Sequence, residues 1–331
     1  MKKVAFTTTI PQEYIWAASA IPVDLNNLFI LGQSKKFIIS GEKHGVTRNT
    51  CSWIKGLMGA VVEYEEEFDT IIAVTEGDCS NNHGLVNLCQ HFMPSIKVVS
   101  FAYPADRDER KLRYELDKLG EHFGVSYEQA MEIKEKLDLV RERLRVLDIL
   151  FYQKKNVSAT EFQRLMVASS DFGSNVEVYS NKIEELIKLA ETSQSNVHTI
   201  SIGYMGVPTI ISNLFGYLED ELGVKLSYFE VENDFAMLQE SKDLIEQYQN
   251  FNYPYELNRR IIEVEKQIKQ RNLKGIIHYA QAFCHRQLDD IIIKNRLSVP
   301  VLTIEGDAPG EVDMRTKIRI ECFVERLKEV L

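Results

Sequence analysis

The chain has 331 residues, 44% hydrophobic and 27% charged, with a formal net charge of -10 at pH 7. That length suits two domains of ordinary size, and the acidic balance argues against a general affinity for nucleic-acid backbone. No stretch approaches the roughly 18 uninterrupted apolar residues of a membrane span. Thr7, Thr8, Thr9 and Pro11 interrupt the start too early for a signal peptide, so the expected location is the cytoplasm.

Short runs rich in β-branched residues alternate with longer helical patterns, the signature of βαβ units and an α/β fold with parallel sheets. In the first half, strands are predicted at Val4–Thr8, Phe37–Ile39, Thr70–Val74 and Lys97–Phe101. The continuous run Ile71-Ile72-Ala73-Val74 suits a strand covered on both faces. A mostly helical region follows, from about Arg107 to Thr192. Leu112, Leu116 and Leu119 recur at helical spacing, as do Ile133, Leu137, Val140 and Leu144. Ser126, followed by Glu128 and Gln129, suits a helix start. The cations Arg107, Arg110, Lys111 and Arg113 read as a solvated helix face. The polar stretch Thr192–Asn196 is the clearest linker signal. Strands are then predicted at His198–Gly203, Lys225–Phe229, Gly275–Tyr279 and Val299–Ile304. The expected division is an N-terminal α/β domain with a helical extension over residues 1–160 and a C-terminal α/β domain over 161–331.

Five cysteines, an odd number with no CxxC pair, suggest neither a disulfide framework nor a zinc ribbon. Cys79 lies in TEGDCSNNHG and Cys284 in AQAFCHRQLDD, each just past a predicted strand and before a predicted helix. In open α/β sheets, ligands bind at that strand edge. Two such domains facing each other would direct their cysteines into one cleft. Cys51 lies in VTRNTCSWIKG, where Asn49 or Thr50 could cap a helix. A helix N-terminus offers free N–H groups and a positive dipole end, which favour the metal-binding thiolate. Cys89 and Cys322 fall among apolar residues at helical spacing and read as core. His83, His91 and His285 lie near the cysteines. The residues alone therefore leave buried hydrophobes, a zinc site and an iron–sulfur site all open.

Five segments resemble one family. They are PQEYIWAASAIPVDL, NTCSWIKGLMG, EGDCSNNHGL, KGIIHYAQAFCHRQLDD and the C-terminal VPVLTIEGDAPGEVDMRTKIRIECFVE. They are similar to segments of the family that holds the 2-hydroxyacyl-CoA dehydratase subunits, the benzoyl-CoA reductase cluster subunits and the double-cubane cluster proteins. The resemblance implies two Rossmann-like parallel-sheet domains with a helical bridging region. It also implies one [4Fe–4S] cluster held by Cys51, Cys79 and Cys284, with one iron open to water, hydroxide or substrate. In the dehydratases, an acyl-CoA substrate receives a single low-potential electron and loses its hydroxyl group. That electron comes from a separate ATP-hydrolysing iron–sulfur activator, and two cluster-bearing subunits pair as a homodimer or with a paralogue. The chain has no GxxxxGK[ST] phosphate loop, which fits dependence on such an activator. An ATP-dependent reductase of another small substrate, and a non-catalytic electron-transfer or scaffold protein, are the rival expectations.

Three further groups have plain readings. Glu305 and Asp307 in IEGDAPG suit a turn. Arg315 and Arg319 suit a phosphate or carboxylates on the last helix. Gly203 and Gly206 in SIGYMGVP suit a tight turn after a strand.

Overall fold

The computed structural model describes residues 2–154, 157–192 and 200–329. It is an α/β fold with two four-stranded parallel sheets and many helices. No helix among the described residues is long and apolar enough to cross a membrane.

The chain forms two compact units that interleave along the sequence. One comprises Met1–Glu142, Ala168–Ser180 and Phe235–Glu256; the other Arg143–Val167, Asn181–Asp234 and Leu257–Leu331. Sequence patterning suggested a single crossing near residue 160, whereas the chain crosses between units several times. Long-range side-chain contacts, invisible to local pattern, bring the later segments back.

The first unit's strands are β1 (Lys3–Phe6), β2 (Ile21–Asp24), β3 (Phe68–Glu76) and β4 (Lys97–Ala102), in the order β2-β1-β3-β4. Ile71, Ile72, Ala73 and Val74 of β3 are all buried, as expected for a strand covered on both faces. The strand β2 was not predicted. It is four residues of IPVD, and its proline is tolerated because β2 is an edge strand.

The predicted strand Phe37–Ile39 lies instead within the helix Ser34–Lys43. Phe37, Ser40 and Gly41 are buried while Ile39 is exposed, which is helical rather than alternating burial. This helix packs backbone to backbone against the helix Ser52–Glu63. A Cβ on Gly41 would lie 2.2 Å from the Lys55 carbonyl oxygen, and one on Gly59 would lie 1.8 Å from that of Phe37. The close approach holds the helix that begins just after Cys51.

The helical region comprises Glu109–Phe123, Tyr127–Lys154, Ala159–Val167 and Val176–Thr192. Leu112, Leu116, Leu119, Leu137, Val140 and Leu144 are buried as their spacing predicted. Ser126 and Gln129 form a reciprocal capping box. The Ser126 N–H donates to Gln129 Oε1 at 2.8 Å, and the Gln129 N–H donates to Ser126 Oγ at 3.2 Å. Arg107 departs from the solvated-face reading, since its guanidinium stacks 4.0 Å over the Tyr255 ring and donates to the Gln249 carbonyl.

The second unit's strands are β5 (Ile200–Gly206), β6 (Val224–Phe229), β7 (Gly275–Gln281) and β8 (Val301–Gly306), in the order β6-β5-β7-β8. His198 and most of the Thr192–Asn196 linker stretch lie outside the described residues. Met205, Tyr228, Ile276, Val264, Ile268 and Ile293 form one buried cluster, which seats the helices Leu257–Arg271 and Asp289–Arg296 against the sheet.

Each unit is tied by a buried ion pair. Glu13 is fully buried and accepts from Arg141 Nη2, Gln247 Nε2 and Tyr248 OH, each at 2.8 Å. These contacts join three distant stretches of the first unit. In the second, Arg260 forms a two-pronged pair with Glu230 at 2.6 and 2.9 Å, and Glu230 also accepts the Gly206 N–H. Burial pushes the Glu230 carboxyl up, but Arg260 and these hydrogen bonds outweigh it and hold the group below its ordinary value. Replacing one member of a buried pair strands the other charge in an apolar interior, at a cost of about 3–5 kcal/mol. Glu13→Leu is therefore expected to lower the urea midpoint sharply, and a midpoint equal to that of the parent chain would refute this role.

Candidate functional site

The shared strand order decides where a site can form. In β2-β1-β3-β4 the connections from β1 and to β3 leave in opposite directions, so the sheet has a switch point between β1 and β3. The second sheet has the same switch point between β5 and β7. Cys79 follows β3, and Cys284 follows β7. The two cysteines thus occupy equivalent places, each just past the third strand of its own unit.

Cys79 sits two residues before the helix Asn81–Phe92 and is half-buried. The turn before it requires glycine: Gly77 has φ +92, and a Cβ there would lie 2.8 Å from side-chain atoms of Tyr103 and Pro254. Cys51 is buried and occupies the N-cap position of the helix Ser52–Glu63. Neither Asn49 nor Thr50 caps that helix; the Thr50 hydroxyl is paired with that of Thr47 instead.

A polar network joins the Cys51 and Cys79 segments at the C-terminal edge of the first sheet. Trp53 Nε1 donates to Asn26 Oδ1 at 2.6 Å, and Asn26 Nδ2 donates to the Thr7 carbonyl at 2.9 Å. Asn82 Nδ2 reaches Thr7 Oγ1, the Val74 carbonyl and Asp78 Oδ2 at 3.3, 2.9 and 3.0 Å. Tyr253 OH donates to the other Asp78 oxygen at 3.3 Å. Through these bonds β1, β2 and β3 fix the loops that carry the two cysteines.

At the foot of this network lie two buried carboxyl groups. Asp24 accepts from the Asn26 N–H at 2.8 Å and from Ser170 Oγ at 2.5 Å. Asp171 accepts from the Asp24 N–H, Asn27 Nδ2 and the Gly173 N–H. Among the described residues, no cation pairs with either carboxylate. Burial raises Asp24 to about 6; burial and the neighbouring Asp24 charge raise Asp171 to about 7. The pair therefore retains a proton near neutrality.

In the second unit the Cys284 N–H donates to the Gln281 carbonyl at 3.1 Å, closing a turn from the end of β7. Phe283, inside that turn, has φ +63, a strained conformation for a non-glycine residue. Cys284 is half-buried at the N-terminus of a short helical turn, His285–Leu288, which leads into Asp289–Arg296. Asp290 braces this segment. It accepts from Thr303 Oγ1 at 2.5 Å and from Lys294 Nζ at 2.7 Å, and it lies 2.8 Å from His278 Nδ1. Burial pushes His278 below its ordinary value, against the opposing pull of Asp290. Arg319, weighed as a phosphate or carboxylate partner, donates to the Thr303 carbonyl at 2.7 Å.

Among the remaining cysteines, Cys89 is buried as expected, and burial pushes its thiol up to about 12, so it stays protonated. Cys322 was expected in the core but is exposed; its neighbours Ile320 and Phe323 are among the buried residues of that helix. His83, His91 and His285 are exposed. Gly203 and Gly206 were expected in a turn after the strand but lie within β5, Gly206 as its last residue with φ +105. Cys51 and Cys79 share one sheet edge, while Cys284 belongs to the other unit. Among the described residues, no group of three or more His, Cys, Asp or Glu side chains is gathered closely enough to hold a metal ion. Sequence reasoning missed Asp24, Asn26, Asn82, Asp171, His278 and Asp290. The adjacent Asp24, Asn26 and Asn27 after an apolar run were the one local signal.

The Asp24–Asp171 pair predicts an unusual pH dependence. Both carboxyls have folded values above the ordinary 3.8, so the folded state binds more protons between those values and about pH 7. The stability they contribute is fully present below about pH 4 and is lost as pH rises through 6 to 7. Asp171→Asn should flatten the fall in urea midpoint between pH 5 and 8. An unchanged pH profile in this variant would rule the pair out as its source.

The family model described as 2-hydroxyglutaryl-CoA dehydratase, D-component, matches residues 7–327. The comparison with curated proteins returned no match. Among solved structures, the SBP FpvC of Pseudomonas aeruginosa with Ni2+ aligns at 10% identity and TM-score 0.24, covering 100% of this chain and 98% of that one. AdcAII of Streptococcus pneumoniae aligns at 12% identity and TM-score 0.24, covering 98% of each chain. Likeness at that level carries no inference about fold or function. The family match spans nearly the whole chain, including all three cysteine segments and every strand but β1, and so this protein belongs to the 2-hydroxyglutaryl-CoA dehydratase D-component family.

Proposed function

We propose that this chain is the iron–sulfur subunit of a radical 2-hydroxyacyl-CoA dehydratase-like enzyme, with Cys51, Cys79 and Cys284 as the protein ligands of one [4Fe–4S] cluster. It receives a low-potential electron from an ATP-hydrolysing activator and works in the cytoplasm, paired with a second copy or a paralogous subunit. The reading is carried by the family match over residues 7–327, together with the equivalent positions of Cys79 and Cys284 at the switch points of two like sheets.

The donor set suits such a group. Thiolates are soft ligands for iron. Cys51 and Cys284 stand at the N-cap positions of helical segments, and Cys79 lies two residues before a helix. Backbone N–H groups there favour the ionised form. When bound, the cluster supplies one-electron chemistry, with one iron left to a non-protein ligand because only three cysteines are engaged.

The chain's own part is orientation and proton holding. Asn26 and Asn82 lock the Cys51 and Cys79 loops to β1, β2 and β3. Asp290 locks the helix after Cys284 to β7 and β8. Asp24 and Asp171 keep a proton in the same network as the first two loops.

Anaerobic purification followed by iron and acid-labile sulfide analysis tests the reading. About four of each per chain are expected. Cys51→Ala, Cys79→Ala and Cys284→Ala should lose iron, while Cys89→Ala and Cys322→Ala should keep it. Zinc alone, or no metal under strict anaerobiosis, would overturn the proposal. Dehydration of 2-hydroxyacyl-CoA candidates with an ATP-dependent activator then distinguishes a dehydratase from an electron carrier.

A further inference from the structure

Gln281 ends β7 and is 2% exposed. Its Oε1 accepts from Tyr279 OH at 3.0 Å, and the Tyr279 hydroxyl itself accepts the Ile210 N–H at 3.4 Å. That chain of donors fixes which way the amide points. It leaves Gln281 Nε2 buried with no hydrogen-bond partner among the described residues. Gly306 on the neighbouring strand makes the arrangement possible, since a Cβ there would lie 1.8 Å from the Tyr279 hydroxyl. A buried amide donor without an acceptor costs about 1–3 kcal/mol. An orphan held in place by a tyrosine and a required glycine points to an acceptor supplied from outside the chain.

The position of this donor narrows the acceptor's identity. The Gln281 carbonyl accepts the Cys284 N–H, so the two residues are the first and fourth of one turn. Residues so placed have Cα atoms within about 7 Å of each other. The nearest expected electron-rich atoms absent from the structure are the sulfurs of a cluster bound at Cys284. We infer that Gln281 Nε2 donates a hydrogen bond to sulfur at the Cys284 corner of that cluster, as a positioning residue that tunes its reduction potential. The inference rests on the cluster reading proposed above. Donation to sulfur stabilises the reduced, more negative state and raises the potential.

The test is a potentiometric titration of the anaerobic full-length protein, followed by electron paramagnetic resonance, with iron and sulfide counted in the same samples. Gln281→Glu keeps an acceptor for Tyr279 OH and removes the amide donor. Gln281→Leu removes both. Each variant is expected to retain its iron and to show a more negative potential than the parent chain. An unchanged or more positive potential in a fully loaded variant overturns the inference, as does loss of iron from both variants. A parent chain that binds no iron or sulfide defeats the cluster reading itself, and that result is seen before either variant is made.

Discussion

A parallel sheet in which the strand order reverses must open a crevice at the C-terminal ends of the two strands flanking the reversal. Here that constraint acts twice. Each unit places its third strand beside its first, and each sends a cysteine-bearing turn out from the end of that third strand. Crossover helices begin at this edge, so their N-termini collect there. The Cys51 helix, the Thr7 segment and the Asn81–Phe92 helix are joined at this edge of the first unit by hydrogen bonds. The chemistry proposed for this chain depends on that convergence.

Polar burial at these edges follows two different rules. Glu13 with Arg141, and Glu230 with Arg260, are buried charges matched by charges, and their extra hydrogen bonds satisfy the remaining lone pairs. Asp24 and Asp171 are buried carboxyls with donors but, among the described residues, no cation. Charge balance is then reached by keeping a proton, which makes this pair sensitive to pH. The first kind of burial joins segments far apart in sequence. The second sits in the network that holds the cysteine loops.

Positive φ angles occur at both of these edges. Gly77 and Gly206 take positive φ where a side chain would strike neighbouring strands or aromatic rings. Phe283 takes positive φ without being glycine, in the turn that presents Cys284. A residue held there against its preference means the surrounding hydrogen bonds determine the turn. The Cys284 N–H to Gln281 carbonyl bond and the Asp290 brace are those bonds.

Much of the fold was legible in the sequence, because burial on both faces of a parallel strand demands a run of apolar residues. Ile71–Val74 announced itself in that way. Ser126 and Gln129 likewise announced a helix start through local hydrogen-bonding chemistry. The three cysteine segments stood out by composition, and their resemblance to one family was visible before any coordinates. Strand β2 was hidden because four residues containing a proline carry too little pattern, and Phe37–Ile39 misled because three apolar residues fit either period. The interleaving of the units, the carboxyl pair of Asp24 and Asp171, and the orphaned Gln281 amide came only from the tertiary structure. Each depends on which distant groups share a buried space, and sequence spacing does not encode distance between residues that are far apart along the chain.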